Sequence, residues 1–324
     1  MERIKFYRRD CFVAEFTLRE ANVLLAMTFE ARHFKEMGTK GVRFITILLR
    51  CVIYLAKVRY EMAEESLSAV AITGGLKTRF VGQRVLYYPS LASTMVVARQ
   101  EAQAGAAEGT VVLADEQTAA RGRLKRAWQS PGGNIALSVI LYPSLSYLPS
   151  MIMLASLAVA HGIETATGLK PQIKWPNDIL IKGRKVCGIL LESDVQGSTV
   201  NFVSIGIGIN VNLRLADFPE IQDIATSLSA ELGREVSRLV VIRSLLVEME
   251  KLYLTLSAGG SIYEEWRDSL VTLGKQVRAT TGDTVYEGVA ESVARDGSLL
   301  LRGSDGGLTR IVAGDVTLRG SVGA

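Results

Sequence analysis

Every proline in the chain lies between Pro89 and Pro219, and this confinement divides the 324 residues into three stretches of different grammar. A stretch free of proline can form long helices, because proline in a helix interior removes one N–H and collides with the preceding turn. Up to residue 76 the glycines are also sparse: Gly38, Gly41, then Gly74-Gly75. Residues 1–72 therefore read as helical. Thr17-Leu-Arg-Glu20 spells a capping box opening a helix to about residue 37. A second helix is expected near 42–60 and a third over about 61–71, with the glycine pair as the stop.

From Phe80 onward strands and helices alternate. Strands are expected near 84–88 and 110–115, and a helix at 90–105. A glycine- and arginine-rich loop fills 118–134 and leads to a strand at 135–142. A long apolar helix follows at 150–168, then a strand at 172–175 and a hairpin of 178–181 with 185–193 around Gly183. A near-continuous apolar strand covers 200–211, with helices at 237–257 and 263–273. The last fifty residues change again, to short alternating strands at 275–281, 283–294, 298–302 and 308–312. Gly282-Asp283, Asp296-Gly297 and Gly306-Gly307 separate them, the pattern of a small β-barrel. The expected domains are a basic helical extension at 1–76, a mixed-sheet body at 77–272 and a barrel at 273–324.

The formal charge of +4 is unevenly spread. Residues 1–80 carry 14 Lys+Arg against 9 Asp+Glu, and residues 81–324 carry 23 against 24. Any nucleic-acid contact is thus confined to the first quarter. The apolar run at 42–58 is interrupted by Arg43, Arg50 and Lys57, whereas a spanning helix needs about 20 mostly apolar residues. No membrane segment is expected, and Asp10, Glu15 and Glu20 spoil a signal peptide. Three scattered cysteines, Cys11, Cys51 and Cys187, argue for a reducing compartment, so a cytoplasmic protein is expected. Two histidines and no Cys-x-x-Cys exclude a site built from several histidines and argue against structural zinc.

Three segments hold residues suited to chemistry. The loop from Gln117 places Arg121, Arg123, Lys125 and Arg126 within six positions, then Trp128, Ser130 and the Gly132-Gly133 pair. Guanidinium forks suit carboxylate and phosphate oxygens, although a solvated basic loop or a nucleic-acid patch has the same spelling. The second segment is Lys174-Trp-Pro-Asn-Asp178, followed by Arg184-Lys185 and Gly188 to Glu192. Asn177 and Asp178 follow a strand, where α/β proteins place ligands. Lys185 opens an apolar strand that partly desolvates it, and a hairpin with a surface lysine reads the same way. The third, Gly206-Ile-Gly208-Ile-Asn210-Val-Asn212, lacks the spacing of a dinucleotide fingerprint and alone reads as a buried strand. His161, on an apolar helix, and Cys187, within a strand, read as core residues.

In this order the spellings RGR-x-x-R-x-W-x-SP and KWPND…RK-x-x-GIL-x-E resemble the biotin protein ligase family, from about Phe80 to Ala324. The resemblance implies an α+β fold: a mixed β-sheet catalytic domain flanked by helices and a small SH3-like barrel at the C-terminus. It implies ATP with Mg2+ and biotin as substrates, an intermediate biotinyl-adenylate, and a biotin carboxyl carrier protein of acetyl-CoA carboxylase or a related carboxylase as acceptor.

Residue by residue, it assigns Ser93, Thr94, Met95 and Gln117 to biotin, Arg121-Gly122-Arg123 to the closing loop, and Lys185 to the carboxylate. It makes Lys185, Arg121 and Arg123 catalytic, sets Arg126, Trp128, Asn177, Asp178 and Asn210 on the nucleotide side, and implies no metal-ligating residue. Ala120 and Lys125 stand where the family has glycine, and Met95 where it has Asn. The related alternatives are a lipoate or octanoate ligase and a ligase that doubles as a DNA-binding repressor. Residues 1–72 lack a helix-turn-helix followed by a β-wing, so DNA is not an expected partner; a homodimer is left open.

Overall fold

The computed structural model describes residues 3–6, 14–17 and 67–318. Two compact units divide the chain, residues 1–62 and 63–324. In the first, β1 (Arg3–Phe6) and β2 (Ala14–Thr17) pair antiparallel with Ile4 opposite Phe16. This corrects the expectation of a helical start. Arg-Ile-Lys-Phe alternates charged and apolar residues with the period of a strand, a signal stronger than the absence of proline. The helices expected at 17–37 and 42–60 lie outside the described residues.

The second unit starts earlier than the expected boundary at residue 76. A short helix, α1 (Ala69–Thr73), is capped by the Ser68 hydroxyl, which accepts from the Ala71 amide at 3.0 Å. Its Ile72 is fully buried, and its last carbonyls, on Ala71 and Ile72, accept from the Arg243 guanidinium. Helix and body share one core, which is why they cannot be parted at the glycine pair.

The body is a seven-stranded sheet in the order β3-β4-β5-β9-β8-β7-β6. Its strands are β3 (Val85–Leu91), β4 (Val111–Gln117), β5 (Ile135–Leu141), β6 (Gln172–Lys174), β7 (Asp178–Ile181), β8 (Arg184–Gln196) and β9 (Thr199–Ile209). Only β3 and β4 run parallel, joined by helix α2 (Thr94–Gln103). Both faces of the central strands are covered, so their sequences read as apolar runs rather than alternations. Val111, Leu113, Val139 and Val203 face the main core, while Val112, Ile140 and Phe202 meet Ala98 and Ala102 of α2.

The main core is built on α3 (Met151–Thr167) and α5 (Arg238–Ser257), between which lies α4 (Leu228–Leu232) in sequence. By length and composition the segment Leu145–Thr167 could cross a membrane, but its apolar surface is spent on this packing. Gly162 brings the two helices together: a Cβ there would lie 2.8 Å from the Leu245 backbone. His161, expected in the core, is only half-buried. Its two ring nitrogens face Glu248 at 3.4 Å and, on helix α6 (Tyr263–Asp268), Glu265 at 3.1 Å.

The tail forms an antiparallel five-stranded sheet in the order β13-β12-β11-β10-β14, the SH3-like element. Its strands are β10 (Gln276–Thr281), β11 (Thr284–Val293), β12 (Leu299–Arg302), β13 (Leu308–Ile311) and β14 (Asp315–Leu318), the last beyond the four expected from the turn pairs. Val277, Leu299 and Val316 belong to the same apolar cluster as α3 and α5. Trp175, 2% exposed, couples the parts: its backbone N–H donates to Thr272 Oγ1 at 2.9 Å and its indole N–H to the Gly297 carbonyl at 2.8 Å.

Candidate active site

One cleft of about 830 Å3 lies over β8 and β9, and all thirteen residues nominated from the sequence line it. At the start of α2, Ser93 occupies the N-cap position without using its hydroxyl as a cap. Thr94, 2% exposed, donates to the Gln117 carbonyl oxygen from its amide at 2.8 Å and from its hydroxyl at 3.1 Å. Ser138 donates to the Thr94 hydroxyl at 2.9 Å, and the Gln117 amide nitrogen donates to Ser130 Oγ at 3.2 Å. This chain fixes which end of the Gln117 amide is donor and which acceptor, as a buried polar network must. Ser138 was not nominated, because strand register brings it in and its spelling does not; Ser130 was named within the loop but given no role.

A strip of glycines makes the cleft floor. Gly188 and Gly208 are paired across β8 and β9, with Gly206 two residues back. A Cβ at Gly208 would stand 2.6 Å from Trp128 Nε1, and one at Gly206 2.7 Å from Met95 Sδ. The alternating glycines of the third segment therefore let an indole and a thioether lie flat on the sheet. The segment is the buried apolar strand expected from the sequence, and its glycines add a role the spelling alone did not give, as the cleft floor.

A β-bulge aims the principal cation. Leu180 faces Lys185 and Ile179 faces Cys187, so Val186 is extra on β8. The extra residue re-aims the side chains on either side of it. Lys185 reaches the cleft, with Nζ 2.6 Å from Asp178 Oδ1 and 5.4 Å from the Trp128 ring. Cys187 is fully buried, and burial pushes its thiol pKa far up, as suits a core residue and not a nucleophile.

The arginine loop folds back on itself. Gly122 N–H donates to the Arg126 carbonyl and Trp128 N–H to that of Ala120, while Leu124 takes a left-handed conformation (φ 53°). A Cβ on Gly122 would meet only an ordinary contact, at 3.8 Å, so nothing within the protein demands glycine there. Gly133 does need its freedom, at φ +87°. Arg123 donates to Asn177 Oδ1 at 3.1 Å and to the Gly314 carbonyl at 3.0 Å, and Arg126 pairs with Asp315. Burial lowers the Arg123 pKa, which Asp315 and Asp178 partly offset. Arg121 is exposed at the rim.

The remaining nominees are less free. Asn177 gives its amide N–H to the Ile189 carbonyl at 2.6 Å, and Asn210 its own to that of Thr226 at 3.1 Å. Seven cations line the cleft against three carboxylates: Lys174, Lys182 and Arg184 join the four named, opposed by Asp178, Asp223 and Asp315. Burial pushes the Lys174 pKa down, helped by Lys185 and Arg126 and resisted by Asp178 and Asp315. Such a cleft accommodates an anion of several charges, with neutral donors and acceptors beside it.

Known proteins resemble this chain in sequence and in fold. Residues 87–210 match the Biotin/lipoate A/B protein ligase family and residues 272–319 the Biotin protein ligase C terminal domain. The chain is 42% identical over 293 residues to the bifunctional ligase/repressor BirA of Bacillus subtilis, covering 89% of this chain and 88% of that one. It is 35% identical over 207 residues to the biotin–[acetyl-CoA-carboxylase] ligase of Paracoccus denitrificans, covering 60% and 85%. Among solved structures, the biotin protein ligase of Aquifex aeolicus in complex with biotin and ATP superposes with a TM-score of 0.63 at 26% identity, over 73% of this chain and 99% of that one. With both matched segments in their expected order and a relative this similar along most of its length, the chain belongs to the biotin protein ligase family.

Proposed function

We propose that this protein is an ATP-dependent biotin–protein ligase that passes biotin to a lysine of a biotin carboxyl carrier protein, that of acetyl-CoA carboxylase or a related carboxylase. In the first step biotin's carboxylate oxygen attacks the α-phosphorus of Mg-ATP. The bond to the β-phosphate oxygen breaks and pyrophosphate leaves, giving biotinyl-adenylate. In the second step the carrier's lysine amine attacks the acyl carbon, AMP leaves with the bonding pair, and the amine loses a proton.

Two anions must meet in the first step, so the chemistry needs cations to screen their repulsion and to take up charge on the phosphoryl oxygens. The observation that carries the reading is the excess of cations lining a cleft whose neutral end is a satisfied Thr94–Gln117–Ser138 network. We assign Ser93, Thr94, Met95 and Gln117 to the biotin ring and tail, and Lys185 with Arg121 and Arg123 to the reacting anions. Gly122 lets the loop approach the ligand. Arg126, Trp128, Asn177, Asp178 and Asn210 are assigned to the nucleotide side, Asn177 and Asn210 through the backbone they hold. Mg2+ enters with ATP as part of the substrate. Relatives named as biotin ligases and the matched C-terminal domain favour biotin over lipoate. The buried Cys187 thiol is consistent with a cytoplasmic setting.

The test is exchange of labelled pyrophosphate into ATP, expected with biotin and absent with lipoate or octanoate. Exchange supported by octanoate and not by biotin would overturn the substrate assignment. The Bacillus relative named a ligase/repressor motivates a second reading, because a match over 89% of the chain extends into residues 1–62. In that reading the first unit binds DNA, against the expectation from its sequence. Operator-like DNA retained by the full chain and lost on removal of residues 1–62 would establish it.

A further inference from the structure

The ion cluster at the turn between β7 and β8 supplies two of the cleft's seven cations, Lys182 and Arg184, but its carboxylate has no role in the reaction as derived so far. Lys182 and Arg184 flank Gly183, and both reach Glu231 on α4. Lys182 Nζ lies 3.0 Å from Oε2 and Arg184 Nη2 2.6 Å from Oε1. The Thr226 hydroxyl donates to the same Oε1 at 2.7 Å, and the Glu231 side chain is only 2% exposed. Burial alone would raise the Glu231 pKa. The hydrogen bonds from Thr226 and Lys182 and the two nearby charges outweigh burial and hold it below the usual carboxylate range.

Glu231 itself does not line the cleft; Lys182, Arg184 and Lys185 do. Its partners hold the peptide of Lys185. The Lys185 N–H donates to the Ile224 carbonyl at 2.9 Å, and its carbonyl accepts from the Thr226 N–H at 2.8 Å, a short parallel bridge beside the bulge. Arg184 precedes Lys185 in the chain and Thr226 faces it across the bridge. The side chains of both end on one carboxylate oxygen.

We propose that Glu231 is a positioning residue for Lys185, fixing the bulged peptide from which the lysine amine reaches the reacting anions. The proposal rests on the ligase reading above. A lysine has four rotatable bonds, so the placement of its amine depends on a backbone that does not shift. A bulge is a weak point in a ladder, and here it is braced from outside the cleft. Displacement of a reacting group by about 1 Å costs on the order of 100-fold in rate, which makes such bracing consequential.

The test uses two variants of the full chain. Glu231→Gln keeps the shape and removes the charge, and Thr226→Val removes only the hydroxyl. Biotin-dependent pyrophosphate exchange at saturating substrates is expected to fall about 10- to 100-fold in Glu231→Gln, with the KM for biotin held within about 2-fold. Thr226→Val is expected to show a smaller loss, about 3- to 10-fold, and the double variant is expected to be no worse than Glu231→Gln, because both act through Oε1.

Native-state hydrogen exchange supplies a readout independent of turnover. Protection of the Lys185 and Thr226 amides is expected to drop about 10-fold or more while that of the α3 amides stays unchanged. Wild-type kcat in Glu231→Gln, or equal loss of protection in α3, overturns the proposal. If Glu231→Gln does not fold, unchanged kcat and unchanged Lys185 protection in Thr226→Val overturn it. A wild type without biotin-dependent exchange sinks the ligase reading instead, and the Lys185 amide still decides whether Glu231 braces that peptide.

Discussion

Single residues in the cleft are constrained by what lies on them. Gly208→Ala puts a methyl 2.6 Å from the Trp128 indole, so the ring must lift from the floor. The variant is expected to fold with a melting temperature near wild type and to raise the KM for ATP about 10-fold or more, since Trp128 is assigned to the nucleotide side and lies beside Lys185. Equilibrium binding of ATP checks it, and unchanged affinity would show that the ring has room to move. Away from the cleft, Tyr87 donates to Asp115 Oδ2 at 2.5 Å. Burial, then this bond and the Asp115 charge, raise its pKa from 10.0 to about 12, against the opposing charge of Arg238. The unfolded phenol loses its proton first, so the stability this tyrosine adds is whole below pH 10 and fades as pH climbs toward 12. Urea melts across that range should show Tyr87→Phe flattening the alkaline decline, though not abolishing it, because the pKa values of Tyr142 and Tyr253 are raised as well. At this scale the sequence is legible where charge and glycine cluster locally, as in Arg121 to Arg126. It is silent on Ser138, which acquires its role only because β5 lies in register beside β4.

Elements show where local pattern and global packing part. The strands and long helices of the body were readable from their apolar runs and the polar or glycine-bearing segments between them, and β14 was not, because Asp-Val-Thr-Leu follows a lone Gly314 instead of a turn pair. The segment before β3 was misassigned for a different reason. Glycine pairs often end a domain, but here residues 67–82 are strapped to α5 at two points. Arg243 takes the carbonyls ending α1, and buried Glu250 accepts from the amides of Arg79, Phe80 and Val81 at 2.6, 2.8 and 3.0 Å. A chain beginning at residue 63 is therefore expected to melt as the second unit does within the full chain, and one beginning at residue 77 to melt lower. Glu250→Ala leaves three N–H groups without their acceptor, that of Val81 buried and those of Arg79 and Phe80 part-buried; at about 1 kcal/mol each a loss of about 3 kcal/mol is expected. For a unit of this size that is a fall of about 6–12 °C, readable by calorimetry.

The whole molecule joins body and barrel through one core, and Trp175 is the joint most open to test. Trp175→Phe keeps most of the buried ring and removes the indole N–H from the Gly297 carbonyl, which is expected to cost about 1–3 kcal/mol. A single denaturant transition shifted to lower midpoint would follow from a shared core; two separated transitions would mean that the barrel stands independently. The sequence showed that a barrel exists but not that it walls the cleft, since the bond from Arg123 to the Gly314 carbonyl spans 191 positions. That span has a consequence in time. A ribosome adding about 5–20 residues per second needs about 10–40 s to travel from Arg123 to Gly314. For about the last 6–24 s of it, once Glu192 has been added, the nascent chain holds both signature motifs yet lacks the strand that receives the loop. The loop's contact with the barrel thus arrives with β14, the last strand among the described residues, and a message broken just upstream of its codons would yield a body bearing every charged motif and an unfinished wall.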